Sequence, residues 1–163
     1  EEALSMSDRV AILDQGAVTQ VGTPADLYER PVSAYVADFI GAANVLNVEV
    51  ETRLDNNQVE VRLGRHKLRC LDGGIGDKKN GILIARPELI GLSPVNAVKN
   101  GNDRIRGTVI KRQYLGSRTN YTVDIGESRN LLIEHHAGTD PWSIESDQEV
   151  DVLLPVTCRV VAS

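Results

Sequence analysis

Leu46-Asn47-Val48-Glu49-Val50-Glu51, then Asp55-Asn56-Asn57, then Gln58-Val59-Glu60-Val61-Arg62-Leu63: on these three pieces the fold turns. Apolar Leu46, Val48 and Val50 alternate with polar Asn47, Glu49 and Glu51, and Val59, Val61 and Leu63 repeat the alternation after the turn residues. Successive side chains of a strand leave on opposite faces, so each run has one face for a core and one for water. Asn and Asp tolerate left-handed backbone and bond back to their own chain, which makes Asp55-Asn56-Asn57 a turn between antiparallel strands.

Downstream the same texture continues. Gly64-Arg65 is a two-residue turn into a strand over His66 to Leu71, and Asp72-Gly73-Gly74 ends it. Gly81 to Ala85 is almost continuously apolar and runs into Arg86-Pro87-Glu88, which predicts a strand covered on both faces. The polar stretch from Ser93 to Asp103, with Pro94 and Asn100-Gly101-Asn102, reads as a loop or linker. Further strands are predicted from Ile105 to Lys111, Tyr121 to Ile125, Leu131 to His135 and Val150 to Leu154, with a last short one from Cys158 to Val161. About nine strands at this spacing suit one or two small barrels of the oligonucleotide-binding (OB) type.

Upstream of Ala42 the pattern is mixed. Glu1 to Ser7 suits a helix end; Val10 and Ile12, the turn Asp14-Gln15-Gly16, then Val18 and Val21 predict a hairpin. Thr23 before Pro24 is the pattern of an N-cap with proline at the first helical position, opening a helix through Leu27 and Tyr28 that Pro31 ends. Ser33 caps a second helix with Tyr35, Val36, Phe39 and Ile40 on one side, stopped by Gly41. Burial of Val10, Ile12, Val18 and Val21 is worth roughly 1.5–3 kcal/mol each, a large share of a typical domain's stability. Residues 1–41 are therefore expected to pair with a second copy of the chain or to be partly disordered, because an isolated hairpin is marginal and an open edge recruits partners.

Composition sets bounds. The 163 residues suffice for one domain or two small ones, and 41% hydrophobic with 25% charged residues is ordinary for a globular chain. No apolar run approaches the length of a spanning helix, and no signal-peptide pattern precedes the acidic start. Cys70 and Cys158 lie in predicted strands at no metal-type spacing, as buried free thiols of a reducing compartment would.

The segment with Glu1-Glu2-Ala3-Leu4-Ser5-Met6-Ser7-Asp8-Arg9-Val10-Ala11-Ile12-Leu13, Asp14-Gln15-Gly16, Gly22-Thr23-Pro24, Leu27-Tyr28, Pro31 and Phe39-Ile40-Gly41 resembles the closing segment of ABC-transporter ATP-binding subunits. That resemblance implies a start just past the switch histidine, an excised fragment, and an ATP and Mg site in a parent chain upstream of residue 1. Residues 42–161 separately resemble the TOBE domain, a small β-barrel appended to many importer ATPases. The resemblance rests on Phe39-Ile40-Gly41 with Asn44, Ala85-Arg86-Pro87-Glu88, Gly107-Thr108-Val109, Tyr114-Leu115-Gly116-Ser117 and Leu154-Pro155, in that order. The wording around Asn44 and Arg86-Pro87-Glu88 is closer to polyamine, ferric-ion or phosphonate importers than to sugar importers.

Little in the chain points to chemistry of its own. In an extended strand Arg86 and Glu88 share a face, where they either meet charges on a neighbouring lobe or subunit or form a surface pair contributing under about 1 kcal/mol. Gly116-Ser117-Arg118-Thr119 is either an anion-receiving turn or a plain connection with a solvated arginine. Adjacent His135 and His136 leave a strand on opposite faces and do not easily share a metal, and His66 stands apart from both. Ser117, Ser128 and Ser143 lack a nucleophile-elbow sequence, and Asp72 to Lys79 has glycines and lysines without P-loop spacing. Trp142, after Asp140-Pro141, either plugs a barrel end or anchors a partner.

The expected fold is mainly β: OB-like TOBE barrel or barrels over residues 42–163, with lobes 42–92 and 104–163, behind a short α/β piece over residues 1–41 from the end of an ATPase domain. The expected function is a noncatalytic accessory, regulatory and dimer-contact domain of an ABC importer ATP-binding subunit. Interface candidates are Val10, Ile12, Val18, Val21, Arg86, Glu88 and Trp142; no catalytic, cofactor or metal residue is assigned. The resemblance implies a homodimer, transmembrane permease subunits as partners of the parent, a small-molecule or protein regulator in some relatives, and a cytoplasmic place at the inner membrane. An OB-type module binding nucleic acid or a small ligand is the alternative. Nucleic acid is disfavoured by the net charge of −5 and by one Phe and one Trp, which supply neither attraction nor stacking.

Overall fold

Period-two alternation carries directly into the computed structural model, which describes residues 6–98, 104–139 and 142–163. Strands β3 (Asn44–Leu54), β4 (Gln58–Leu63), β5 (His66–Asp72), β6 (Asn80–Ala85) and β12 (Arg159–Val161) close into a barrel in the order β12-β5-β4-β3-β6. Leu46, Val48, Val59, Val61, Leu63, Leu68 and Leu83 point inward, and the intervening polar residues face water. Asn56 and Asn57 both take left-handed backbone, φ 63° and 59°, and turn β3 into β4 as their side chains allow.

Closure depends on β12, which pairs parallel with β5 and antiparallel with β6. Two glycines admit it. A Cβ at Gly81 would stand 2.4 Å from Ile75 Cδ1 and 2.7 Å from Val160 Cγ1, and one at Gly73 would stand 2.6 Å from the Val160 carbonyl oxygen. The Gly73 amide donates to that oxygen at 2.7 Å.

A second five-stranded sheet, in the order β10-β9-β8-β11-β7, is formed by β7 (Gly91–Pro94), β8 (Arg104–Tyr114), β9 (Arg118–Asp124), β10 (Asn130–His136) and β11 (Glu149–Leu153). Strands β3 and β8 are each 11 residues long, and each carries a register shift, between Val50 and Thr52 and between Val109 and Lys111. An extra residue bends and twists a strand, so each long strand curves around its lobe.

The lobes do not divide the chain at residues 92 and 104 as the sequence suggested. β7 precedes that linker yet belongs to the second sheet, β12 follows the second sheet yet completes the barrel, and Leu46 through Val160 form one hydrophobic cluster across both. The loop expected from Ser93 is also displaced: Ser93 is 1% exposed within β7, whose Pro94 pairs with Val150 of β11. Gly91, Ser93 and Pro94 carry little strand propensity, so neighbouring β11 imposes this strand. Residues 99–103, including Asn100-Gly101-Asn102, lie outside the described residues.

The amino-terminal segment forms as its local signals dictate. β1 (Val10–Asp14) and β2 (Ala17–Gly22) make a hairpin, α1 spans Pro24–Glu29 and α2 spans Ala34–Ile40. Thr23 and Asp26 form a reciprocal capping box with Pro24 in the first turn, and the Ser33 hydroxyl accepts from the Val36 amide at 3.3 Å. Ile12, Leu27, Val36 and Ile40 make a small core of their own. The predicted single apolar side of α2 splits in two: Val36 and Ile40 are buried, while Tyr35 and Phe39 are 40% and 65% exposed and touch at 5.9 Å between ring centroids. Adjacent helical positions are about 100° apart, so the 35/39 and 36/40 pairs form separate stripes. The helix end expected over Glu1 to Ser7 falls largely on residues 1–5, outside the described residues.

Candidate functional site

The chemistry of the chain concentrates where the amino-terminal segment meets the barrel. Strand β6 has both faces covered, as its apolar run predicted: Leu83 and Ala85 join the main core, and Ile84 packs with Ala37 of α2 and Val161 of β12. The next residue, Arg86, is still extended, and Pro87 then opens a 3-10 turn, Pro87–Leu89. Its fixed φ and missing donor suit that exit from the sheet.

This turn corrects the reading of Arg86 and Glu88 as same-face neighbours of one extended strand. Arg86 is 6% exposed and reaches back under α2. Its Nη1 donates to the carbonyls of Ala37 at 2.9 Å, Gly41 at 2.9 Å and Ala42 at 3.1 Å, and its Nη2 donates to the Tyr28 carbonyl at 3.0 Å. The last carbonyls of a helix lack intrahelical partners and carry the negative end of its dipole, so a guanidinium is the natural cap. The guanidinium carbon also lies 4.1 Å from the centre of the Tyr28 ring.

Tyr28 completes the junction by donating its hydroxyl to the Glu88 carboxylate. Burial first, then the hydrogen bond and charge of Glu88, pushes the Tyr28 phenol up to about 12. Burial also lowers the Arg86 pKa, against the opposing influence of Tyr28, Glu88 and Asp38. Arg86 and Glu88 thus act on Tyr28 from either end within one chain.

Asn44 joins the two lobes. Its Nδ2 donates to the Ala85 carbonyl at 3.2 Å and the Leu132 carbonyl at 2.8 Å, and its Oδ1 accepts from the Leu132 amide at 2.7 Å. At 7% exposed it spans from the first barrel strand to β10. Asp151, 2% exposed on β11, accepts from the Asn96 amide at 2.8 Å and from Arg106 Nε at 3.0 Å, with Arg104 at 3.9 Å. It holds the turn after β7 against the second sheet.

The remaining candidates scatter. Ile12 is 2% exposed inside the small amino-terminal core and Val10 packs on that core, whereas Val18 and Val21 are 60% and 48% exposed, with Leu13 at 55%. Ile12 is thus spent within the chain. Trp142 packs partly buried on the main core; the Asp140-Pro141 turn before it lies outside the described residues. Arg118 lies in β9 with Nε 3.3 Å from the Glu134 carboxylate. His135 Nε2 is 3.4 Å from the Ile90 carbonyl oxygen with its ring edge-on to Tyr121, His136 faces Glu134 at 3.8 Å, and burial followed by the Arg65 charge lowers the His66 pKa.

Among the described residues no group of three His, Cys, Asp or Glu side chains is placed to hold a metal. Cys70 and Cys158 are both buried, and burial pushes the Cys158 thiol up to about 12. Asp72 accepts from the Gly74 and Ile75 amides at 2.9 and 3.0 Å, which makes the glycine-rich stretch a side-chain-capped turn. Among the described residues no helix is long and apolar enough to cross a membrane.

Sequence reasoning missed Asp151 as a buried charge and Tyr28 as the hinge-pin of the junction. A lone polar residue in an alternating strand is read as solvent-facing, and only the sheet order shows otherwise.

A five-stranded barrel sharing its core with a second sheet, behind a capped α/β neck, defines an OB-like β module. Residues 83–157 match the family model described as the TOBE domain. The spermidine/putrescine import ATP-binding protein PotA of Thermobifida fusca is 37% identical over 143 residues, covering 85% of this chain and 36% of that protein. The protein of the same name from Borreliella afzelii is 32% identical over 154 residues, covering 94% of this chain and 40% of that protein. The chain therefore carries a TOBE domain and is a relative of the ATP-binding subunits of ABC importers. It spans 23% to 42% of the length of such relatives. A crystal structure of the cytoplasmic molybdate-binding protein ModG superimposes with a TM-score of 0.63 at 10% identity, over 74% of this chain and 96% of that one, which establishes likeness of fold alone.

Proposed function

We propose that the chain is the noncatalytic accessory and dimer-contact region of an ABC importer ATP-binding subunit, and that it works mechanically. The observation that carries this reading is the junction at Arg86. Four backbone carbonyls and the Tyr28 ring grip one buried guanidinium, so the α/β neck and the barrel move as one body. A rigid appendage transmits force. Where its outer surface touches a second subunit more favourably in one state than another, it biases the open and closed populations by that difference in free energy.

The surface available for such contact is apolar. Leu13, Val18, Val21, Tyr35 and Phe39 are each at least 40% exposed on the hairpin and α2. Under this reading they meet the ATP-binding domain of the same subunit or a second copy of it, with ATP and Mg held outside these 163 residues. Permease subunits would be the membrane partners, on the cytoplasmic side of the inner membrane. The relatives named for spermidine and putrescine import make polyamines the favoured cargo.

The test compares a complete subunit carrying this region with the same subunit after Val18→Asp and Phe39→Asp. Both substitutions are expected to weaken subunit association by at least about tenfold in sedimentation, to alter ATP turnover of the transporter, and to leave nucleotide binding unchanged. Unchanged association and turnover would refute the mechanical role, and so would ATP hydrolysis by residues 1–163 alone.

A further inference from the structure

A cleft of about 750 Å³ opens between the end of α1 and barrel strands β5, β6 and β12. Its size lies within the usual range for small-molecule sites. Three arginines line it, Arg30, Arg86 and Arg159, against a single carboxylate, that of Glu29. Much of the remaining lining is apolar, with Leu71, Ile84 and Leu89 among it.

Two of those arginines are incompletely satisfied. Arg86 spends Nη1 and Nη2 on four carbonyls, yet its Nε is buried without a partner. The Arg159 Nε is likewise buried and unpartnered, and its Nη1 reaches the Asp72 carbonyl only at 3.5 Å. Buried guanidinium N–H groups are ordinarily paired, and an orphan costs free energy that an anion would recover. Burial and then the charge of Arg30 both act against the charge on Arg159, opposed only by Asp72. Like charges held around one cleft call for a counter-charge between them.

We propose that this cleft binds a small organic anion, a phosphate monoester or carboxylate on an apolar body. The anionic head lies among Arg159, Arg30 and the Arg86 Nε, and the body lies against Leu71, Ile84 and Leu89. Arginine favours such heads because its planar fork meets two oxygens at once. The bound molecule touches both the end of the neck and the closing strand of the barrel. It therefore sets the stiffness of the junction through which the module acts, a regulation beyond the mechanical role and not required by it.

The 163-residue chain is titrated by calorimetry with 1-naphthyl phosphate, 1-naphthoate, inorganic phosphate and neutral 1-naphthol, and its melting is followed in parallel. Saturable binding of at least one naphthyl anion below about 1 mM is expected, with a melting-temperature rise of about 5–10 °C at a hundred times Kd. Arg159→Gln and, separately, Arg30→Gln should weaken that binding about tenfold. Arg30 is exposed at the rim, so its replacement reads the charge without threatening the fold. Naphthol and inorganic phosphate should each bind at least about tenfold more weakly than the better naphthyl anion. The phosphate and carboxylate arms tell which head is preferred. No saturation by either anion up to about 10 mM, affinity unchanged in both arginine variants, or inorganic phosphate binding as tightly as naphthyl phosphate would each overturn the proposal. A flat titration leaves the mechanical role standing, whereas failure of the association test leaves this cleft untouched.

Discussion

Replacing Arg86 by alanine should loosen the neck from the barrel more than any other single change. The side chain is 6% exposed, makes four hydrogen bonds to carbonyls and covers the Tyr28 ring. Breaking one side of a buried charged network costs about 3–5 kcal/mol, because the partners left behind stay desolvated. At about 2–4 °C per kcal/mol for a chain of this size, the melting temperature should fall by about 6–20 °C. Lysine in place of Arg86 keeps the charge but lacks the planar fork that reaches two carbonyl groups at once, so it should recover less than half of the loss. Circular dichroism melts give the global figure, and amide exchange gives the location. Exchange should accelerate over Glu29 to Gly41 at the junction and stay slow over Val59 to Leu68 in the barrel, as local opening predicts. A melting temperature within about 2 °C of the parent, with protection over residues 29–41 intact, would return Arg86 to the surface pair its sequence allows.

Asn44→Ala removes three hydrogen bonds, two of them between the lobes and one within the barrel, and should cost about 2–4 kcal/mol in urea unfolding, while Asn44→Asp should keep the bond from the Leu132 amide and lose the two Nδ2 donations. Tyr28 should titrate late: its neutral form is stabilised by folding, so that contribution is complete below the ordinary phenol value of about 10 and is lost as pH rises toward about 12. Phenolate absorbance should show one delayed tyrosine, and Tyr28→Phe should abolish the delayed step and flatten stability over that window; a titration with no delayed tyrosine contradicts the buried junction. Gly81→Ala should cost about 1–3 kcal/mol, because the new methyl would stand 2.4 Å from Ile75 and 2.7 Å from Val160. A neutral Gly81→Ala in the same denaturation assay would mean that β12 closes the barrel less tightly.

The sequence by itself determined what depends on near neighbours. Alternation at Leu46, Val48, Val59 and Val61 set strand faces, Asn56 and Asn57 supplied left-handed turn residues, and Thr23 with Pro24 and Ser33 placed two helix starts. Each signal acts within a few residues, where steric and hydrogen-bonding preferences operate without reference to the rest of the chain. Its likeness to importer ATP-binding subunits was legible for the same reason, as short ordered motifs. Only tertiary structure decided the rest. Gly91, Ser93 and Pro94 become a strand because β11 lies beside them, and β12 leaves the second half of the chain to close the first barrel. Arg86, read as sharing a strand face with Glu88 where it either meets charges of a neighbouring lobe or subunit or forms a surface pair, becomes a buried helix cap because the chain turns at Pro87 and the end of α2, at Gly41 45 residues earlier, brings unpaired carbonyls. Strand partners and buried charges are fixed by groups far apart along the chain, and their free energy appears only when distant segments meet.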